Sequence, residues 1–208
     1  MTTRVHKEIE RRAFPGEFRV TGGEGETPRI VGYAAKFNAV SEEMYGFREV
    51  IAPGAFSAVL QADVRGLFNH DPNIVLGRST AGTLLLEEDD VGLRYEILPP
   101  DTQFARDLME SMRRGDITQS SFAFSMRGGT EQWEEKTDGT VIRTLVKVGA
   151  LYDVSPVTYP AYEDTESGVR SAKQVFEEHR EEREKASPEA KAPDFFIERA
   201  RLAMIEME

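Results

Sequence analysis

Between Arg29 and Tyr162 the apolar residues come in short runs separated by turn chemistry, and this spacing limits the fold more than any other feature of the chain. Strands are expected at Arg29–Phe37, Val64–Phe68, Thr83–Glu87, Leu93–Leu98, Ser121–Met126, Val141–Val148 and Leu151–Val154. The turn Asp89-Asp90-Val91-Gly92 joins the third and fourth of these as a hairpin. Such close spacing suits a barrel or sandwich better than alternating βα units, so the fold class is mainly β with a few helices, α+β. One helix is expected to open at Pro53, with Phe56, Val59 and Leu60 on a shared face. A second is capped by Asp101 or Thr102 and stopped by Gly115, and carries the apolar stripe Phe104, Ala105, Leu108, Met109 and Met112. That stripe is read as core packing.

Composition removes several chemistries. The 208 residues hold one medium domain with a tail, and no cysteine, so disulfides, thiolate metal sites and cysteine nucleophiles are excluded. A formal net charge of -11 argues against the nucleic-acid backbone as a direct partner, because phosphate binding needs clustered Lys and Arg. No run reaches the roughly 20 apolar residues that span a bilayer. Met1 to Arg12 is too charged for a secretory signal, so the chain is expected to be soluble, free of membrane, and to stay where it is made.

The organisation expected is a flexible arm over residues 1–27, a folded domain over 28–166, and a charged linker with an amphipathic tail over 167–208. In the tail, Lys173 to Lys191 is dense in Glu, Lys and Arg. Beyond it Asp194 can cap a short helix with Phe196, Ala200, Ala203 and Met207 on one side. A docking element on a tether and a helix packed back on the domain both fit this ending.

Three residues stand out for chemistry. His6 and His179 lie in charged stretches and read as solvated, whereas His70 follows an apolar segment in the tight turn Asn69-His70-Asp71-Pro72-Asn73. Taken alone, a histidine in a polar turn is more often structural. No His-Glu-x-x-His pattern, Asp-rich calcium loop or set of three zinc ligands accompanies it, so neither a metal nor another cofactor is expected. Around Ser121, Phe122, Phe124 and Met126 point to one side of an extended segment while Ser121, Ala123 and Ser125 point to the other. This is either a nucleophile on a surface of small side chains or an ordinary half-buried strand, and pattern alone favours the strand. Asp153 sits inside the apolar segment Leu151–Val154, where an unpaired carboxylate is costly. An imidazole N–H or the backbone amides of the Ser155-Pro156 turn would satisfy it.

Together these segments resemble the caudoviral prohead protease family, the serine endopeptidases with which tailed bacteriophages mature their capsids. The resemblance is carried by Gly32-Tyr33-Ala34-Ala35-Lys36-Phe37-Asn38, Ile51-Ala52-Pro53-Gly54-Ala55-Phe56, Phe68-Asn69-His70-Asp71, Leu76-Gly77-Arg78, Gly115-Asp116-Ile117, Ser121-Phe122-Ala123-Phe124 and the run Asp153 to Tyr162. Their order and spacing over Arg29 to Thr165 carry more weight than any one block. The resemblance implies His70 as general base, Ser121 rather than Ser120 as nucleophile, and Asp153 as the third member. It implies an assemblin-like closed β-barrel surrounded by helices, with scaffold and major capsid proteins as substrates. It further implies action inside the assembling viral prohead in the host cytoplasm and a homodimer or higher oligomer, and the Pro-interrupted charged tail adds self-cleavage as an expectation. The rival from another class is a non-enzymatic capsid assembly factor that binds scaffold through its tail.

Overall fold

The computed structural model describes residues 9–14, 18–22, 25–159 and 166–186, and divides the chain into compact units at residues 1–172 and 173–208. Twelve strands lie among the described residues. They are β1 Glu10–Phe14, β2 Arg19–Thr21, β3 Arg29–Lys36, β4 Phe47–Ile51, β5 Arg65–Phe68, β6 Asp71–Arg78, β7 Leu84–Glu88, β8 Gly92–Ile97, β9 Gln119–Ser125, β10 Thr130–Glu135, β11 Val141–Lys147 and β12 Ala150–Val157. Helix α1 spans Gln103–Arg114 and α2 spans Glu166–Ala186. The fold is therefore mainly β with two helices among the described residues, as the spacing predicts.

The strands hydrogen-bond as three sheets: β1-β9-β12-β5-β6, β10-β11-β4 and β2-β3-β8-β7. Among the described residues none of them closes on itself, so the expected closed barrel is not found. One apolar cluster nevertheless draws from all three, with Ile30, Tyr95 and Ile97 from the four-stranded sheet, Ile51 and Leu145 from the three-stranded one, and Phe122, Phe124 and Val154 from the five-stranded one.

Strand β9 runs through the middle of this core. Its alternate residues Phe122 and Phe124 are fully buried and stack with ring centroids 5.0 Å apart. Phe56 meets Phe122 edge-on at 5.3 Å. Gly66 of β5 stands opposite Gly77 of β6. A Cβ at Gly77 would lie 2.5 Å from the Thr83 carbonyl oxygen and one at Gly66 2.9 Å from Ile97 Cδ1, so only glycine lets β6 approach the Thr83 backbone and β5 the Ile97 side chain.

Helix α1 has the predicted ends. Thr102 caps it by accepting the Ala105 N–H at 3.2 Å, and Gly115 stops it in the left-handed conformation at φ 81°. Ala105, Leu108, Met109 and Met112 are buried, while Phe104 stays half-exposed with its ring centroid 6.2 Å from that of Phe68. The helix expected at Pro53 is instead a run of turns, with the N–H groups of Ala55, Ser57, Val59 and Ala62 each bonded three residues back. Gly54, at φ +86°, interrupts the α-helical path there, yet Phe56 and Val59 still bury.

The arm expected over residues 1–27 contains two strands. Glu10–Phe14 pairs antiparallel with β9 and Arg19–Thr21 with β3. Charge hid β1 from sequence reasoning, because Glu10 and Arg12 are buried through partners far along the chain. Arg12 bonds both oxygens of Glu49, at 2.8 and 3.0 Å, and also Glu10 at 2.7 Å. Arg143 in turn holds Glu10 at 2.6 and 3.1 Å and reaches Glu49 at 3.0 Å and Glu131 at 2.5 Å. Each charge is thus paired and hydrogen-bonded, the condition under which burial is tolerated. In the tail, Lys173 to Lys185 of α2 is mostly exposed and laced by pairs such as Lys185–Glu181 at 3.2 Å. The amphipathic segment read from Asp194 onward lies outside the described residues.

Two outcomes follow from this packing. Phe122→Ala should lower unfolding free energy by about 3–5 kcal/mol in denaturant titration, the usual cost of emptying a fully buried aromatic site. Burial works against the Glu10 carboxylate, but Arg12 and Arg143 together outweigh it and hold its pKa below the ordinary value of 4.5. A depressed carboxylate stabilises the fold fully above pH 4.5 and loses that contribution as pH falls below it. The denaturation midpoint should therefore drop on acidification below about 4.5, and more shallowly in Glu10→Gln.

Candidate active site

Three neighbouring strands bring the predicted residues together. Strand β12 pairs antiparallel with β9, with Ser155 opposite Ser121 and Asp153 opposite Ala123, and pairs parallel with β5 on its other side. Residues 153, 155 and 121 therefore share one face of the sheet, and the end of β5 delivers His70 to it. Phe122 and Phe124 occupy the opposite face, in the core.

His70 bridges the other two. Its Nδ1 stands 2.6 Å from Asp153 Oδ1 and its Nε2 2.7 Å from Ser121 Oγ. With Nδ1–H donating to the carboxylate, a neutral ring presents a lone pair at Nε2, and the Ser121 hydroxyl donates to it. The ring is nearly buried, as is the aspartate, with side-chain exposures of 10% and 9%. Both therefore work in a low-dielectric setting where their hydrogen bond is strong.

The turn that carries His70 is strained. Phe68 pairs with Asp71, leaving Asn69 and His70 as a two-residue hairpin loop with φ of 53° and 56°. These are type I′ values, at which glycine is favoured in the second position and a histidine costs about 1 kcal/mol or more. Asn69 supplies the compensation. Its N–H donates to the Pro156 carbonyl at 3.0 Å, its Oδ1 accepts the Thr158 N–H at 2.8 Å, and its Nδ2 reaches Thr158 Oγ1 at 3.2 Å. The loop is thereby tied to the strand that holds Asp153.

Ser155 is the contributor that sequence reasoning passed over. Fully buried, it donates to Asp153 Oδ1 at 2.8 Å and fixes the carboxylate beside the ring. Its signal was present in the block beginning Asp153-Val154-Ser155, as a serine two residues along the same strand face. Ser120, the rival nucleophile, points into the core, where its Oγ lies 2.8 Å from the Tyr95 hydroxyl. Burial raises the Tyr95 pKa, which keeps that hydroxyl neutral. Among the described residues no group of three or more His, Asp or Glu is placed to hold a metal ion, and no helix is long and apolar enough to cross a membrane.

The arrangement can activate a hydroxyl for attack on a carbonyl, since a carboxylate, an imidazole and a serine hydroxyl stand in hydrogen-bond sequence. Ser121 itself is 0% exposed, because β1 lies along β9 and places the Arg12 carbonyl oxygen 2.9 Å from Ser121 Oγ, a rival acceptor for its one proton. The supporting contacts are measurable as stability. Ser155→Ala should cost about 1.5–3 kcal/mol in denaturant titration, the range for hydrogen bonds to a charged group. Asn69→Ala should cost a similar amount and Asn69→Gly less, since glycine keeps the φ and loses only the Thr158 contacts.

Residues 16–181 match the family model described as caudovirus prohead serine protease. Among solved structures, the bacteriophage T4 capsid assembly protease, gp21, is similar at 10% sequence identity and a TM-score of 0.37, over 70% of this chain and 98% of that one. No curated protein matches. The chain belongs to the caudovirus prohead serine protease family.

Proposed function

We propose that this serine protease cleaves segments of scaffold and major capsid proteins as a viral prohead matures, with Ser121 as nucleophile, His70 as general base and Asp153 as the residue that orients and charges against the imidazole. The observation that carries the assignment is the bridging ring, with Nε2 2.7 Å from Ser121 Oγ and Nδ1 2.6 Å from Asp153 Oδ1. His70 takes the hydroxyl proton as the Ser121 Oγ–C bond forms, and returns it to the amine as the amide C–N bond breaks. Water then attacks the acyl-enzyme by the same route and restores the serine. Asp153 accepts from Nδ1–H throughout and stabilises the imidazolium that forms in each step.

In this reading the enzyme works inside the assembling prohead in the host cytoplasm, as a homodimer or higher oligomer. The stretch 167–208 tethers it to scaffold and raises its effective concentration there until self-cleavage releases it. A purely structural assembly factor would have no need of a buried carboxylate, a strained histidine and a serine hydroxyl in one hydrogen-bonded line.

Co-expression with the capsid and scaffold proteins, read by intact mass, tests the assignment. Wild type and Ser120→Ala should cleave, and Ser121→Ala should not. Asp153→Asn should retain binding but lose about 10⁴ in kcat, as the imidazole settles in the wrong tautomer. A chelator should leave cleavage unchanged. Cleavage surviving in Ser121→Ala would overturn the nucleophile, and loss of activity to a chelator would overturn the metal-free mechanism.

A further inference from the structure

The nucleophile is covered by the chain itself. Strand β1 is an edge strand bonded on one side to β9, with Ala13 opposite Ser121 and Arg12 opposite Phe122. At this edge a peptide substrate would add as an extended strand through its backbone. The Arg12 carbonyl oxygen lies 2.9 Å from Ser121 Oγ, so the backbone of β1 fills the space beside the hydroxyl that the peptide bond of a substrate would need. The hydroxyl has one proton, and it goes either to this carbonyl or to His70 Nε2, so β1 competes with the general base for it.

The side chains of β1 show what the edge recognises. Arg12 is 1% exposed, with its guanidinium on both oxygens of Glu49 and 5.5 Å from the Phe124 ring centroid. A planar fork matched to a carboxylate and flanked by an aromatic ring is a geometry specific to arginine. Two residues earlier, Glu10 lies in the fork of Arg143. Were β1 to leave with both charges, Glu49 and Arg143 would remain in the core with fewer partners, a costly state unless an incoming strand supplied an acid and an arginine at the same spacing.

We propose that β1 holds the substrate-strand site in a resting state, and that Glu49 with Phe124 forms a specificity subsite for an arginine on the acyl side of the cleaved bond. Arg143 receives an acidic residue two positions before that arginine. Substrates are then extended capsid or scaffold segments of the form acid-x-arginine that displace β1. This inference rests on the reading of Ser121 and His70 as the catalytic pair.

The test reads binding in a full chain carrying Ser121→Ala and Arg12→Met, the second change freeing the subsite while keeping side-chain volume. The probes are the peptides Glu-Ala-Arg-Ala-Phe and Glu-Ala-Met-Ala-Phe, acetylated and amidated at their ends and labelled for fluorescence anisotropy. The arginine peptide should bind at least tenfold tighter than the methionine peptide, and adding Glu49→Gln should bring the two within about threefold. Equal binding, or a preference that survives Glu49→Gln, would overturn the subsite. In the chain with Ser121→Ala alone, which keeps the native β1, excess arginine peptide should speed hydrogen exchange at the amides of Arg11 to Ala13. Unchanged exchange at saturating peptide would overturn the displacement of β1. Neither readout involves turnover, so a chain that selects arginine yet cleaves nothing as wild type would fault the proteolytic reading and leave the subsite standing.

Discussion

The site depends on the register between β9 and β12. Ser121 reaches His70 because it sits opposite Ser155, two residues along the strand from Asp153. A slip of one residue would turn every side chain of β9 over, sending Ser121 to the core and Ser120 to the imidazole. Phe122 and Phe124 prevent it, since the slip would expose two rings that are now wholly buried, at about 1.5–3 kcal/mol each. The Tyr95 hydroxyl adds a second lock by bonding Ser120 on the core side. The aromatic packing that stabilises the protein is thereby also what selects one serine of an adjacent pair.

Strain at the histidine is the second constraint. A left-handed residue with a bulky side chain persists only where its surroundings determine it, and here Asn69 ties the loop to Pro156 and Thr158 by three hydrogen bonds. Because Asp153, Ser155, Pro156 and Thr158 all follow along the same stretch of chain, that stretch positions the carboxylate, its supporting hydroxyl and the turn bearing His70. Movement of the end of β12 would disturb all three at once.

Much of this was legible in the sequence for a local reason. The alternation around Ser121, the polar turn after an apolar segment at His70, and the carboxylate among apolar neighbours at Asp153 are each short-range patterns that single these residues out, while their joint role came from the family resemblance. The capping of α1 by Thr102 and Gly115 was legible on the same ground. What escaped was non-local. Arg12 is buried on Glu49 and Glu10 on Arg143, which lie 37 and 133 residues away, so Glu10–Phe14 looks like a charged arm until those partners are known. Strand β10, Thr-Glu-Gln-Trp-Glu-Glu, is mostly exposed and carries no apolar alternation beyond Trp133. At Pro53 the apolar positions were right, but Gly54 in a positive-φ conformation replaced a helix with turns. The closed barrel came from the family resemblance, and the ladders among the described residues form three sheets instead.

The central claim is that one hydroxyl, Ser121 Oγ, is activated by His70 while its neighbour is held inert by the core. The most direct measurement is prolonged reaction of the purified full chain with excess fluorophosphonate, long enough for β1 to open from Ser121, followed by peptide mass spectrometry to locate the adduct. A single adduct is expected on Ser121, lost in His70→Ala, with none on Ser120. An adduct on another residue, or labelling of Ser121 that does not depend on His70, would contradict it.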